Sequence, residues 1–414
     1  MRTFDRLVLL VGTNPLPNLV VADYFLKTPN SVEKIYLIHS ESRGYQKGTL
    51  EEAIRLEEIL KERHSDRKGL FPLQKISLSD VSNAREIRQD LKDKLLSKLP
   101  NGCKIHLNYT GGTKAMGIHV YDTLKEARGI SEKSFSYLDA RTFRIVDDDK
   151  GITTEDLRDT TKITFSEMIR LHGLERKNKD KDTSEFSDTL NFFKSLIEIE
   201  KDSLDTYFND YDRKLFENKK GGLAEKIKDL KEETKQTQIS GKLLEAFKAL
   251  PEDWRFFDSN GVYVEPKDKN IKSPLMYLDG IWLEDYVYEV LKEGYPDLDF
   301  YKNWEIKKEE WRPDSKFEID VIALRGYQLI GISCTTADIL SLCKSKGFEI
   351  LLRTRQIGGD EAKAVLVTRL PEDKVVILQA SLIADTAGSD NILVLGNKDL
   401  KREQLIERFK DFIK

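Results

Sequence analysis

Cysteine is scarce: Cys103, Cys334 and Cys343 are the only three in 414 residues, they form no CxxC pair, and they lie far from any histidine cluster. Nothing in that set implies zinc, and a reduced interior fits it. Long apolar runs are also missing, since none reaches the roughly 18 to 20 residues a membrane span needs. Met1 to Val11 contains Asp5 and no cleavage pattern of a signal peptide, so the expected location is the cytoplasm, with no membrane partner. A basic excess is lacking as well: 68 Lys and Arg stand against 72 Asp and Glu, for a net charge of −4. Any hold on nucleic acid must therefore come from a local surface and not from the overall field.

What is present is enough apolar residue, 39%, to build real cores and enough charge, 34%, to solvate long helices. At this length two or three domains are expected. Residues 6–12 (RLVLLVG) are a short apolar run ending in glycine, the pattern of a strand covered on both faces. LVVADYFLK reads as helix, KIYLIHS as strand, and TLEEAIRLEEILKERH as a helix with Ala53, Leu56, Ile59 and Leu60 on one side. The alternation continues through KISLSD, AREIRQDLKDKLLSKL, KIHLNYT, GTKAMGIHVYDTLKEA and SFSYLDA, which predicts a doubly wound α/β sheet over residues 1–148.

Residues 149–255 turn polar, with runs such as RKNKDKDTSE and GGLAEKIKDLKEETKQ, and read as a helical connector whose charges are solvated faces. A second mixed α/β domain is expected over 256–414. It comprises the helix GIWLEDYVYEVLKE, a strand in DFYKNWEIKKEE, a hairpin of FEIDVIALRG and YQLIGISCTT, the helix LSLCKSKGFEILLRTRQIG, and strands in AKAVLVTRL and KVVILQ.

One stretch of the first domain carries chemistry: Asn108-Tyr109-Thr110-Gly111-Gly112-Thr113-Lys114-Ala115-Met116, where a strand ends and a helix starts. Two glycines let backbone amides approach a phosphate, the helix N-terminus is partly positive, and Thr113 and Lys114 add a hydroxyl and a cation. It is an anion site without the spacing of a P-loop and without GxGxxG. In an open parallel sheet the ligand crevice lies beyond the carboxyl ends of the strands, where Gly12-Thr13-Asn14, His39-Ser40 and Asn108-Tyr109-Thr110 are expected to converge.

NYTGGTKAM resembles the signature of the CARF domain, the Rossmann-fold sensor of type III CRISPR systems, over roughly residues 1 to 145. The resemblance implies a homodimer that binds a cyclic oligoadenylate across its two-fold axis, here cyclic tetra-adenylate. By the same resemblance Gly12, Thr13, Asn14 and Ser40, with Asn108, Thr110, Gly111, Gly112, Thr113 and Lys114, are the ligand-binding set.

Cleavage of a phosphodiester with Mg²⁺ or Mn²⁺ needs oxygen ligands for the ion and a lysine beside the attacking water. Glu284 on the helix GIWLEDYVYEVL and Asp320 in the strand EIDVIAL are candidates for the first two acids. This portion resembles the PD-(D/E)xK restriction-endonuclease-like nucleases joined to CARF domains, with TFSEMIRLHGLE as connecting helix and QIGGDEAKAVLV as the segment after the active site. Where that family has Glu-Cys-Lys, however, this chain has Ser333-Cys334-Thr335. Lys346 and Glu349, three apart on the next helix, would restore the charges, and Lys344 is the other candidate lysine. Ser333 and Thr335 alternate toward the site while Cys334 faces the core, and Arg353, Arg355, Lys307 and Lys308 are candidate contacts to a substrate backbone.

The two resemblances together imply a nuclease switched on by cyclic oligoadenylate, cutting DNA or RNA with single strands favoured, with Glu284, Asp320 and Glu349 as metal ligands and Lys346 or Lys344 at the water. Two other readings remain open: a binding regulator with a degenerate nuclease fold, and a ring nuclease that degrades its own messenger.

Overall fold

The computed structural model describes residues 4–28, 32–179, 184–199, 203–216, 238–265, 271–308, 316–386 and 390–414. In the first domain β1 (Arg6–Leu10), β2 (Lys34–Ser40), β3 (Gln74–Leu78), β4 (Cys103–Asn108) and β5 (Ile130–Asp139) run parallel in the order β3-β2-β1-β4-β5. Two short antiparallel strands, β6 (Arg144–Asp147) and β7 (Gly151–Ile152), complete the sheet. The apolar run of β1 is continuous because both faces are covered: Leu7 and Leu9 enter one core, Val8 and Leu10 the other. Helices α1 (Leu16–Lys27) and α2 (Leu50–Arg63) cover the first face, and α3 (Ala84–Lys94) and α4 (Lys114–Glu126) the second. All four apolar positions expected on one side of α2 are buried.

The second sheet has the order β13-β12-β11-β10-β9-β8. Its strands are β8 (Leu174–Arg176), β9 (Asp299–Lys308), β10 (Phe317–Arg325), β11 (Gln328–Cys334), β12 (Lys363–Val367) and β13 (Ile392–Leu395). The β10–β11 hairpin is antiparallel as expected, while β11, β12 and β13 run parallel. Helices α5 (Phe165–Leu171), α6 (Ser187–Ile199), α7 (Ser203–Asp210), α8 (Gly241–Ala249), α9 (Lys272–Met276) and α10 (Trp282–Gly294) are followed by α11 (Leu340–Gly358), α12 (Glu372–Asp385) and α13 (Arg402–Ile413). The core under α10 and α13 also takes in Phe193, Tyr207, Tyr211 and Phe247 from the stretch expected as a connector.

That stretch therefore differs from a free-standing connector. β7 belongs to the first sheet, β8 pairs with β9 in the second, and α6 stacks Phe193 on Trp282 of α10 while α7 and α8 pack against α6. Polar runs hid those aromatics, which need only one stripe of each helix. GGLAEKIKDLKEETKQ and residues 180–183 of RKNKDKDTSE lie outside the described residues. KVVILQ, expected as a strand, is part of α12. Pro371 precedes that helix, Glu372 and Asp373 occupy its first turn, and Val375, Leu378 and Leu382 are buried at helical spacing. The neighbouring strand is instead β13, ILVL.

The two sheets share a core. Residues of α1 and α2 belong to one buried cluster with Trp304, Ile319 and Leu366 of the second sheet and Ile350 and Leu378 of α11 and α12. Among the described residues no helix is long and apolar enough to cross a membrane.

Candidate functional site

The order β3-β2-β1-β4-β5 reverses direction between β1 and β4, so the crevice falls beyond their carboxyl ends. There the loop after β1 and the turn after β4 touch: a Cβ added to Gly12 would come within 3.0 Å of the Gly112 nitrogen. A Cβ on Gly111 would come within 2.0 Å of the Leu10 carbonyl oxygen, and Gly112 has φ +75°. Both glycines are thus required for the backbone to turn this tightly against β1. Thr113 caps α4, its hydroxyl accepting from the Met116 N–H at 3.2 Å, and Lys114 is exposed beside it. Gly111, Gly112, Thr113 and Lys114 form one wall of a cavity of about 590 Å³ at the positive end of α4.

Not every expected ligand residue faces that cavity. Asn108 is fully buried; its amide donates to Ser136 Oγ at 3.0 Å and its Oδ1 accepts from the Thr110 hydroxyl at 2.7 Å. Thr110 does line the cavity, and its Oγ1 accepts from the Leu138 N–H at 2.7 Å, so both side chains also brace the turn. Ser40 is tied to Thr49, whose hydroxyl donates to the Val11 carbonyl at 2.9 Å. Thr13 is exposed, whereas Asn14 accepts from the Leu16 N–H at 3.1 Å and lies against Gly359 at the end of α11. The cavity adds residues outside the expected set: Tyr109, Tyr121 and Asp148, with the Tyr109 hydroxyl donating to Asp148 Oδ1 at 2.7 Å. Tyr109 stands within the quoted motif, but Asp148 is brought in only by the β5–β6 hairpin.

The second constellation sits between α10, β10, β11 and α11. A π-helical turn, Tyr277–Ile281, leads into α10, whose first residues Trp282 and Leu283 are fully buried, and this aims Glu284 at the sheet. Asp285, next in sequence, faces elsewhere and pairs with Lys302 at 2.6 Å. Asp320 Oδ2 accepts from the Cys334 N–H at 2.7 Å and from the Ser333 hydroxyl at 3.0 Å. Burial pushes the Glu284 carboxyl well up from its ordinary range, and the nearby Asp320 adds to the shift while Lys346 opposes it. Burial also raises Asp320, against the Cys334 N–H, Lys346 and the Ser333 hydroxyl, which favour its charged form. Glu284, Lys346, Cys334 and Thr335 line a cavity of about 420 Å³. Cys334 is buried with its thiol raised far up by desolvation, the state of an inert core thiol.

Lys344 is not brought to this place; it pairs with Asp385 of α12 at 2.7 Å. Glu349 is exposed on α11, close enough to raise the Asp320 carboxyl, yet among the described residues no three His, Cys, Asp or Glu side chains form a group that could hold a metal ion. The expected third ligand is therefore not gathered with the other two. Arg353 lies over the Phe317 ring at 4.4 Å, Arg355 pairs with Asp360 at 2.7 Å, and Lys308 lines a cleft with Glu51 and Glu175. Lys307 is half-buried on β9 beside that seam. A residue that sequence reasoning missed is Asn303 on β9, buried directly behind the two acids.

Fold and cradle together define a protein with a Rossmann-like ligand-binding domain fused to a mixed-sheet α/β domain. The family profile described as the Card1 CARF domain matches residues 7–167, the first sheet with its helices and the segment leading out of it. The first domain is thus a Rossmann-like CARF domain. Across its length the chain has the fold of Can2 from Sulfobacillus thermosulfidooxidans, solved in complex with cyclic tetra-adenylate, at 18% identity over 99% of each chain and a TM-score of 0.65. It is similarly close to protein VC1899 from Vibrio cholerae, at 15% identity over 98% of each chain and a TM-score of 0.65. No curated protein sequence matches the chain.

Proposed function

We propose that this chain is an effector of type III CRISPR defence: a metal-dependent nuclease, working as a homodimer, that cuts nucleic acid once its CARF domain has bound a cyclic oligoadenylate. The observation that carries the reading is the gathering of Glu284, Asp320 and Lys346 from three separate elements: Lys346 is close enough to favour the charged form of both carboxylates, and with Glu284 it lines a cavity of about 420 Å³. Burial raises both carboxyls, and the charge of Asp320 raises Glu284 further, a costly arrangement that a bound cation would relieve. Two carboxylates with water and substrate phosphate are also a usual donor set for Mg²⁺ or Mn²⁺, so the residues present fit such an ion. When bound, it would lower the pKa of a coordinated water and offset charge on the phosphate.

Glu284 and Asp320 would hold the ion, and Ser333 and the Cys334 amide keep Asp320 charged and oriented toward it. Lys346 reaches the same cavity and supplies the positive charge that Thr335 lacks at the usual position. The cradle at Gly111–Lys114 suits the phosphates of the ring, and cyclic tetra-adenylate is the size favoured by the similarity to Can2 in its complex. Asp320→Ala should abolish messenger-dependent cleavage of single-stranded DNA and RNA while messenger binding is kept. Cleavage retained by that variant would reject the site, and a wild-type protein that binds messenger but cuts none of these substrates in Mn²⁺ would be a regulator, as Ser333-Cys334-Thr335 allows.

A further inference from the structure

Asn303 has backbone φ +56°; only it and Phe143, among described non-glycine residues, lie in the left-handed region. That conformation is rare within a strand, and asparagine tolerates it better than most side chains. The consequence for the sheet is local. The β9–β10 ladder keeps one register from Phe317↔Ile306 to Leu324↔Asp299, but the pair Asp320/Asn303 is skipped. At that pair the pleat reverses. Phe317 and Ile319 face one core, whereas Val321 and Ala323, which would share their face in an unbroken strand, lie in the other. Such breaks re-aim side chains, and held strain of this kind clusters at functional sites.

The Asn303 side chain is 6% exposed and turns its amide so that Nδ2 donates to Glu284 Oε2 at 3.2 Å and to the Asp320 carbonyl oxygen at 3.0 Å. One amide thereby ties the helix-borne acid to the backbone that carries the strand-borne acid. The break is clamped from outside by Asn178, just after β8: its amide nitrogen donates to the Asn303 carbonyl and its Oδ1 accepts from the Glu305 N–H at 2.9 Å. We propose that Asn303 is a positioning residue of the acidic centre, setting the Glu284 carboxylate against Asp320 in the orientation that lets one divalent cation take an oxygen from each. This rests on the metal-dependent reading above. The chemistry explains the residue type: glycine would adopt the backbone without a donor, aspartate would bring a third negative charge, and most other side chains would resist the conformation.

The test is Mn²⁺ binding by full-length protein, followed by the electron paramagnetic resonance of free Mn²⁺ without nucleic acid. Asn303→Gly, Glu284→Gln and the double variant are compared, with circular dichroism to confirm the fold. Asn303→Gly should weaken Mn²⁺ binding about tenfold, and should add little in the Glu284→Gln background, because it acts through Glu284. Asn178→Ala, which leaves residue 303 in place, should shift affinity in the same direction by a smaller factor, and decides the matter if Asn303→Gly does not fold. Unchanged affinity in the folded variants, or a full additive loss in the double variant, overturns the inference while the nuclease reading stands. Wild-type protein that binds no Mn²⁺ would overturn both.

Discussion

His106 lies in the middle of β4, 4% exposed, with Nδ1 and Nε2 each 2.7 Å from a serine hydroxyl, Ser134 and Ser136, and its ring stacked on Phe4. Ser136 also receives the Asn108 amide, so the ring supports the floor of the cradle. Desolvation holds the imidazole down to about 3, because a charged ring would lose its hydration there. The folded state therefore favours neutral histidine while the unfolded chain takes up the proton. Stability from this residue is complete above the ordinary pKa of about 6.5 and is lost as pH falls toward the folded value. By linkage, unfolding in urea at pH 5.0 should cost about 2 kcal/mol less than at pH 7.5 on account of this ring. His106→Gln should remove that part of the pH dependence, and an unaltered profile would show that the ring is not the sensitive group.

At the scale of the element, α11 decides which lysine belongs to the site. Residues two apart on a helix are about 200° apart around its axis, so Lys344 and Lys346 cannot face the same way. Lys344 joins Asp385 of α12, and Lys346 lines the acidic cavity. Under the proposed nuclease function, Lys346→Met should reduce messenger-dependent cleavage by roughly 10²-fold or more, the scale for losing one electrostatic stabiliser of a transition state. Lys344→Met should change it by less than about threefold, and equal effects of the two would show that α11 is set differently in the active protein. Helix phase is what sequence alone left open here, since the first residue of a helix is uncertain by one or two positions. The β4–α4 turn was more legible. Its glycines, cap and strand-to-helix context are local in sequence, and the structure forms that turn as a cradle at the N-terminus of α4.

Across the whole molecule, the two domains are joined by packing and not by a loose tether. Arg158, 7% exposed, bonds Asp156 with Nε and Nη2, donates to Gln328 Oε1 of β11 at 2.8 Å and lies over the Phe143 ring at 3.8 Å. Its carbonyl would be 2.1 Å from a Cβ on Gly326, so the β10–β11 turn closes directly on the segment leaving the CARF domain. Arg158→Ala leaves Asp156 and Gln328 without their buried partner and should destabilise the protein by about 3–5 kcal/mol, read from the urea midpoint. A loss below about 1 kcal/mol would mean that apolar contacts alone hold the seam. Asn14, at the mouth of the crevice, rests on Gly359 at the far end of the helix that carries Lys346. The first-strand loop and the end of α11 are thus in direct contact.

Periodicity and turn chemistry, both written within a few residues of each other, determined the doubly wound first domain, the glycine turn after β4, the β10–β11 hairpin and the placing of Glu284 on a helix and Asp320 on a strand. They did not determine that α6 packs on α10 with α7 and α8 against it, that KVVILQ turns helical, or that Asn303 stands behind the acids. Those depend on which face of each element finds apolar surface elsewhere in the chain and on one residue held in left-handed backbone by its neighbours. Such choices are made by burial and by hydrogen bonds between segments more than a hundred residues apart, as between Asn178 and the backbone around Asn303, and only the tertiary structure brings those partners together.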